Sequence, residues 1–319
     1  MMTDKNAKNF GYPSQLAIFL GSTGGGIIIS VVASVLIWVL MEGTSIPHNT
    51  QEILQPKYYS VNMVLQGVST FFIFFLPVVF FALVCYRKPF FYLGYNLHFN
   101  YKQVLLVILL LIITFPLAGS LGELNRIFPI PHNLAIRFKA WEDARAAEEA
   151  ALININTLPK YFSSIFIIAL LPAIFEETFF RAGMQNLFTR WFKGPWVAII
   201  ITSIFFSLIH ISYYGFLVRF ALGMVLGLIF YYSGNLWLSI LFHFLFNGLQ
   251  VTLLFVTSTS RLLPHKEIEA NFPLWVGLPA IIFLVYVFQQ FIKFSAPEMA
   301  IIHADKADDD LYEWTRNQP

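Results

Sequence analysis

Ile174-Phe175-Glu176-Glu177-Thr178-Phe179-Phe180-Arg181 stands inside an otherwise apolar run, Tyr161–Phe188, and decides how the chain is read. The run is long enough to cross a bilayer, since about 20 apolar residues of helix span the hydrocarbon. A charge at that depth costs about 2.5–3.5 kcal/mol on insertion scales. Here two carboxylates and an arginine fall between positions 176 and 181. Such groups persist only where they pair with one another or do chemistry. Two further polar sites follow in later apolar runs, Phe206 with His210 and His243 with Asn247. Together they point to a catalytic site inside a membrane protein.

Composition agrees. Of 319 residues, 57% are hydrophobic and 12% charged, against about 25% charged in soluble domains. Phenylalanine occurs 35 times, too often for a soluble core of this size. A net charge of +2, with no basic tract carrying interleaved aromatics, gives no reason for nucleic-acid binding. Cys85 is the one cysteine, so neither an internal disulfide nor a cysteine-built zinc site is available.

Windows of apolar residues predict an all-α polytopic bundle of about eight transmembrane helices. They are Leu16–Leu40, Val61–Tyr86, Gln103–Gly122, Tyr161–Phe188, Trp196–Ile209, Tyr214–Tyr232, Leu236–Val256 and Leu274–Ile292. The fifth is short and is expected to stop at mid-depth, leaving His210 at the floor of a cavity. Nothing shows the alternation of a membrane barrel. The whole chain, 1–319, reads as a single integral membrane domain. Its polar tail, 294–319 (Asp305, Asp308, Asp309, Asp310), is expected to be a solvated, poorly ordered end. The first span is too long for a signal-peptide core and reads as an uncleaved anchor.

Lys5, Lys8, Arg87, Lys88, Lys102, Arg190, Lys193 and Lys293 fall on one side of this arrangement. Lys57, Arg261, Lys266 and five residues of the long loop fall on the other, three of the five (Arg137, Lys139, Arg145) near the loop centre, where the positive-inside rule is least sensitive. The positive-inside rule then puts both termini in the cytoplasm. Within the loop, Leu134, Phe138, Trp141, Arg145, Glu148 and Glu149 follow helical spacing. They predict an amphipathic helix lying on the bilayer.

Helical spacing also sorts the polar groups. Residues four apart share a face, whereas adjacent ones diverge by about 100°. Glu177 and Arg181 are therefore partners, in the favoured order for an ion pair, and Glu176 is left as the reactive carboxylate. Pro172, four residues earlier, is expected to kink the helix and open polar backbone beside it. Phe206 stacks one turn before His210, and His243 and Asn247 share a face. A desolvated glutamate with a nearby histidine suits a general base for water. His243 and Asn247 suit a developing oxyanion. Taken singly, an intramembrane histidine or asparagine is usually a helix–helix hydrogen bond, and the Glu177–Arg181 pair reads as structural. Arg219 is expected to snorkel or pair, without a role. All the groups at once imply convergence on one water-filled polar cavity.

Glu-Glu-x-x-x-Arg, then Phe-x-x-x-His, then His-x-x-x-Asn resembles the pattern of the CPBP (Abi) family of intramembrane endopeptidases, which includes the CAAX proteases. The resemblance covers 158–256, the catalytic core. It implies that Glu176 and His210 activate water, that His243 and Asn247 stabilise the oxyanion, and that Glu177, Arg181 and Phe206 support them. One departure is visible: many members have glycine directly after the arginine, whereas here Ala182 precedes Gly183.

The leading expectation is an intramembrane endopeptidase acting on a peptide or protein near the bilayer, in a bacterial plasma membrane. A proton-coupled carrier, or a non-catalytic immunity or scaffold protein on the same fold, is the alternative. A metal-free mechanism is favoured. Zinc would need Glu176, His210 and His243 as ligands, no His-Glu-x-x-His pair is present, and Asn247 is a poor zinc ligand.

Overall fold

The computed structural model describes residues 8, 10–44, 50–152, 155–259 and 272–316. Lys5, Arg261 and Lys266 lie outside them, as do the side chains of Arg145, Glu148, Glu149 and the acidic tail residues. No strand occurs among the described residues. The principal helices are α1 (Tyr12–Glu42), α2 (Pro56–Cys85), α3 (Tyr101–Ile127), α4 (His132–Leu152) and α5 (Leu158–Phe192), followed by α6 (Pro195–Leu208), α7 (Phe216–Ser233), α8 (Leu236–Thr259) and α9 (Leu274–Arg316).

Seven of these, rather than eight, are long and apolar enough to cross a membrane. The remaining expected span is α6. Its 14 residues reach about 21 Å at 1.5 Å per residue, short of the roughly 30 Å hydrocarbon. Outward-facing side chains are apolar, as lipid requires: Leu20, Ile28, Leu36 and Leu40 on α1, Leu278 and Ile282 on α9.

Two hydrophobic clusters hold the bundle. One gathers Phe19, Phe81, Phe180 and Leu187 with Phe206 and Ile240. The other gathers Leu110, Leu226, Phe242, Phe246 and Phe291. Helix α8 feeds both, Ile240 into the first and Phe242 and Phe246 into the second, so His243 falls at their seam.

Prolines shape the two spans beside that seam. Phe71–Phe75 in α2 and Ile165–Leu170 in α5 are π-helical, and each ends just before a Leu-Pro pair, Leu76-Pro77 and Leu171-Pro172. Proline has no N–H to give, and its ring collides with the carbonyl one turn back. A wider turn displaces that carbonyl and lets the helix run on. Pro172 is thus accommodated by widening. Helix α1 sits on the widened turn of α2 through Gly26, where an added Cβ would lie 2.2 Å from the Phe72 carbonyl oxygen.

At one end of the bundle, buried Asn235 ties two connections together. Its amide donates to the carbonyls of Asn96 (3.0 Å) and His98 (3.2 Å). At the other end lies α4, the helix expected from the loop's spacing. Phe138 turns inward and stacks on Tyr213, centroids 4.8 Å apart. Ile136 and Trp141 stay exposed, and the helix touches the first half of α2. The tail differs from the expected poorly ordered end: the α9 helix continues past Phe294 through Arg316. Asn100, which caps α3, and Gln103 within it hold residues 294 and 295. Gln103 donates to Ser295 Oγ at 3.0 Å, and Asn100 donates to the Phe294 carbonyl at 3.1 Å.

Candidate active site

Helix α5 carries Glu176, Glu177 and Arg181, with Glu177 and Arg181 fully buried and Glu176 9% exposed. Arg181 Nε lies 3.1 Å from Glu177 Oε2, the i, i+4 ion pair. The other oxygen, Oε1, meets His243 Nδ1 of α8 at 2.8 Å. An ionised carboxylate only accepts, so Nδ1 carries the proton and His243 Nε2 is left for a different partner. Glu177 therefore bridges an arginine and a histidine and fixes the imidazole's orientation. Helical spacing reveals the arginine and cannot reveal the histidine, which comes from another span.

Phe206 of α6 joins the groups. Its ring centroid lies 4.7 Å from the Arg181 guanidinium carbon, a cation–π contact. The same ring is 5.1 Å from the His210 ring, 5.9 Å from the His243 ring and 5.3 Å from Phe180. Both imidazoles thus contact a single aromatic partition. His210 Nδ1 lies 2.7 Å from the Phe206 carbonyl oxygen, one turn back. A carbonyl only accepts, so this partner assigns the proton to Nδ1 and leaves Nε2 as the basic nitrogen of neutral His210.

Glu176 and Asn247 form no side-chain hydrogen bond among the described residues. The charged groups that act on the Glu176 carboxylate belong to His243, Glu177, Arg181 and Arg219. Arg219, given no role by the sequence, is therefore part of the electrostatic surroundings. Asn247 is half-buried one turn beyond His243. The structure brings Glu176, Glu177, Arg181, Phe206 and His243 into one group. His210 approaches across the Phe206 ring, and Asn247 continues the His243 face.

Beside this group is a cleft of about 330 Å³ between α2 and α5, lined by Met63, Gly67, Phe71, Phe166, Leu171 and Phe175 among others. Its walls are apolar. Phe175 takes the cleft side of α5, and Glu176, about 100° around the helix, takes another. Tyr95, in the connection before α3, hydrogen-bonds Thr178, the residue after Glu177. Burial pushes its phenol up to about 12, so it stays neutral. Gly183 is where α1 approaches α5: an added Cβ would lie 2.8 Å from Phe19. Among the described residues, no three His, Cys, Asp or Glu side chains gather as a metal-binding group.

Fold and site together define a polytopic, all-helical membrane protein with a carboxylate–histidine group buried inside its bundle. Residues 158–249, from the start of α5 into α8, match the family model described as Rce1-like, type II CAAX prenyl endopeptidase Rce1-like. The resemblance carried by the three motifs is thereby borne out over this segment, which contains all seven candidate residues. No curated protein and no solved structure matches the chain.

Proposed function

We propose that this protein is an intramembrane endopeptidase in which Glu176 and His210 activate water. The observation that carries the proposal is Glu176 itself, a buried carboxylate with no hydrogen bond among the described residues, beside a histidine already oriented by its neighbour Glu177. Water attacks the scissile carbonyl carbon and gives one proton to Glu176, while His210 Nε2 accepts a hydrogen bond from the O–H that the water keeps. The carbonyl oxygen becomes an oxyanion, met by the Asn247 amide and by Nε2 of His243 in its imidazolium form. Glu176 returns the proton to the departing amine as the C–N bond breaks. Glu177 and Arg181 hold the scaffold of this step.

The substrate is a peptide presented at the membrane. The matched family's description makes a prenylated peptide with a CAAX-type end the first class to test. No step in this scheme passes through a metal. Both termini face the cytoplasm. The test is peptide cleavage by the purified full chain and by Glu176→Gln. An enzyme loses turnover while staying folded, a carrier loses transport instead, and a scaffold loses neither.

A further inference from the structure

His210 lies in the connection between α6 and α7, and that connection is strained. Ile211 has φ of +48°, a left-handed conformation that a β-branched residue adopts only when its surroundings impose it. Two elements impose it here. From α3, Asn125 Nδ2 donates to the Tyr213 carbonyl at 2.7 Å, and its Oδ1 accepts from Leu217 N at 3.3 Å. From α4, Glu142 Oε1 accepts from Ser212 Oγ at 2.6 Å and from Tyr214 N at 3.3 Å. Ser212 Oγ in turn accepts from Gly215 N at 3.0 Å. One turn before Glu142, Phe138 lies flat on Tyr213, the rings 2° from parallel.

We infer that Glu142 is a positioning residue that holds the strained turn beside His210 in its working geometry. A carboxylate suits the task because one oxygen collects a hydroxyl and a backbone N–H in charge-assisted bonds. Released from Glu142, the turn relaxes toward an ordinary conformation at Ile211. The imidazole then leaves the Phe206 carbonyl that sets its tautomer. This gives α4 a purpose in the site: its Phe138–Glu142 face fastens the turn. The inference rests on the proposed role of His210 for its catalytic meaning, although the structural claim can be read without turnover.

The experiment labels the full-length protein in lipid nanodiscs with diethyl pyrocarbonate and measures modification of each histidine by mass spectrometry, with His98 as internal reference. In Glu142→Ala, His210 should label about tenfold faster relative to His98, as loss of a hydrogen bond to a charged group predicts. Cleavage of a farnesylated CAAX peptide should lose kcat by a similar factor with KM unchanged. Glu142→Gln keeps an acceptor oxygen and should restore most of both. Ser212→Ala removes one donor, leaves α4 intact and should fall between, which guards against a misfolded Glu142→Ala. His210 labelling at the wild-type rate in both Glu142→Ala and Ser212→Ala overturns the positioning role. No cleavage by the wild-type chain, with His210 labelling still raised in Glu142→Ala, defeats the hydrolase reading and leaves the positioning role standing.

Discussion

Adjacent on α5, Glu176 and Glu177 point about 100° apart, and the neighbours they meet assign them different work. Glu177 is held between Arg181 and His243, so removing its charge or its partner leaves an uncompensated ion in the bundle. Arg181→Ala and Glu177→Gln should each cost about 3–5 kcal/mol of stability, read as a lower thermal midpoint in detergent. Glu176→Gln is nearly isosteric and touches no hydrogen bond among the described residues, so its midpoint should stay at the wild-type value while hydrolysis is lost. Equal losses of stability in Glu176→Gln and Arg181→Ala would overturn this division. The Glu177–Arg181 pair was legible because both residues lie on one helix and spacing alone brings them together. The bond to His243 was not, because it depends on how α8 is rotated against α5. The contacts of Phe206 with Arg181 and His243 were hidden for the same reason.

Between the residue and the whole lie the helices and their irregularities. Apolar windows located the spans, since lipid leaves the backbone no alternative to a helix. They also marked the fifth as short. The widened turns before Pro77 and Pro172 were beyond such a reading, because proline predicts a disturbance without saying whether the helix bends or widens. Packing decides, and at Pro77 the deciding contact is the approach of Gly26 to the widened turn. Gly26→Val should therefore overpack that contact and lower stability by about 1–3 kcal/mol, measured by thermal unfolding in detergent. A neutral effect would mean that α1 does not rest on α2 as described. The inward turn of Phe138 on α4 escaped for a related reason: spacing shows that apolar residues share a face, and it is silent on whether lipid or Tyr213 covers them. The helical course of α9 beyond Phe294 depends likewise on Asn100 and Gln103, remote in sequence.

At the scale of the molecule, the site lies at the seam of two hydrophobic clusters, where α5, α6 and α8 meet. This placement explains how a bundle tolerates most of these groups: Glu177, Arg181, His210 and His243 each meet an ion partner, an aromatic ring or a carbonyl. The segment that matches the protease family is α5 through much of α8, while α3 and α4 supply the contacts that hold the turn at His210. On the proposed metal-free mechanism, exhaustive chelation should leave the purified protein's hydrolysis unchanged, and activity lost to a chelator and restored by stoichiometric zinc would contradict it. The central claim is that Glu176 drives peptide hydrolysis within the membrane. Mass spectrometry of membrane peptides from cells producing either the wild-type chain or Glu176→Gln, at matched abundance, tests it most directly. The account predicts a set of new peptide termini close to the bilayer surface that depends on Glu176. The same termini at the same levels from both chains would contradict it.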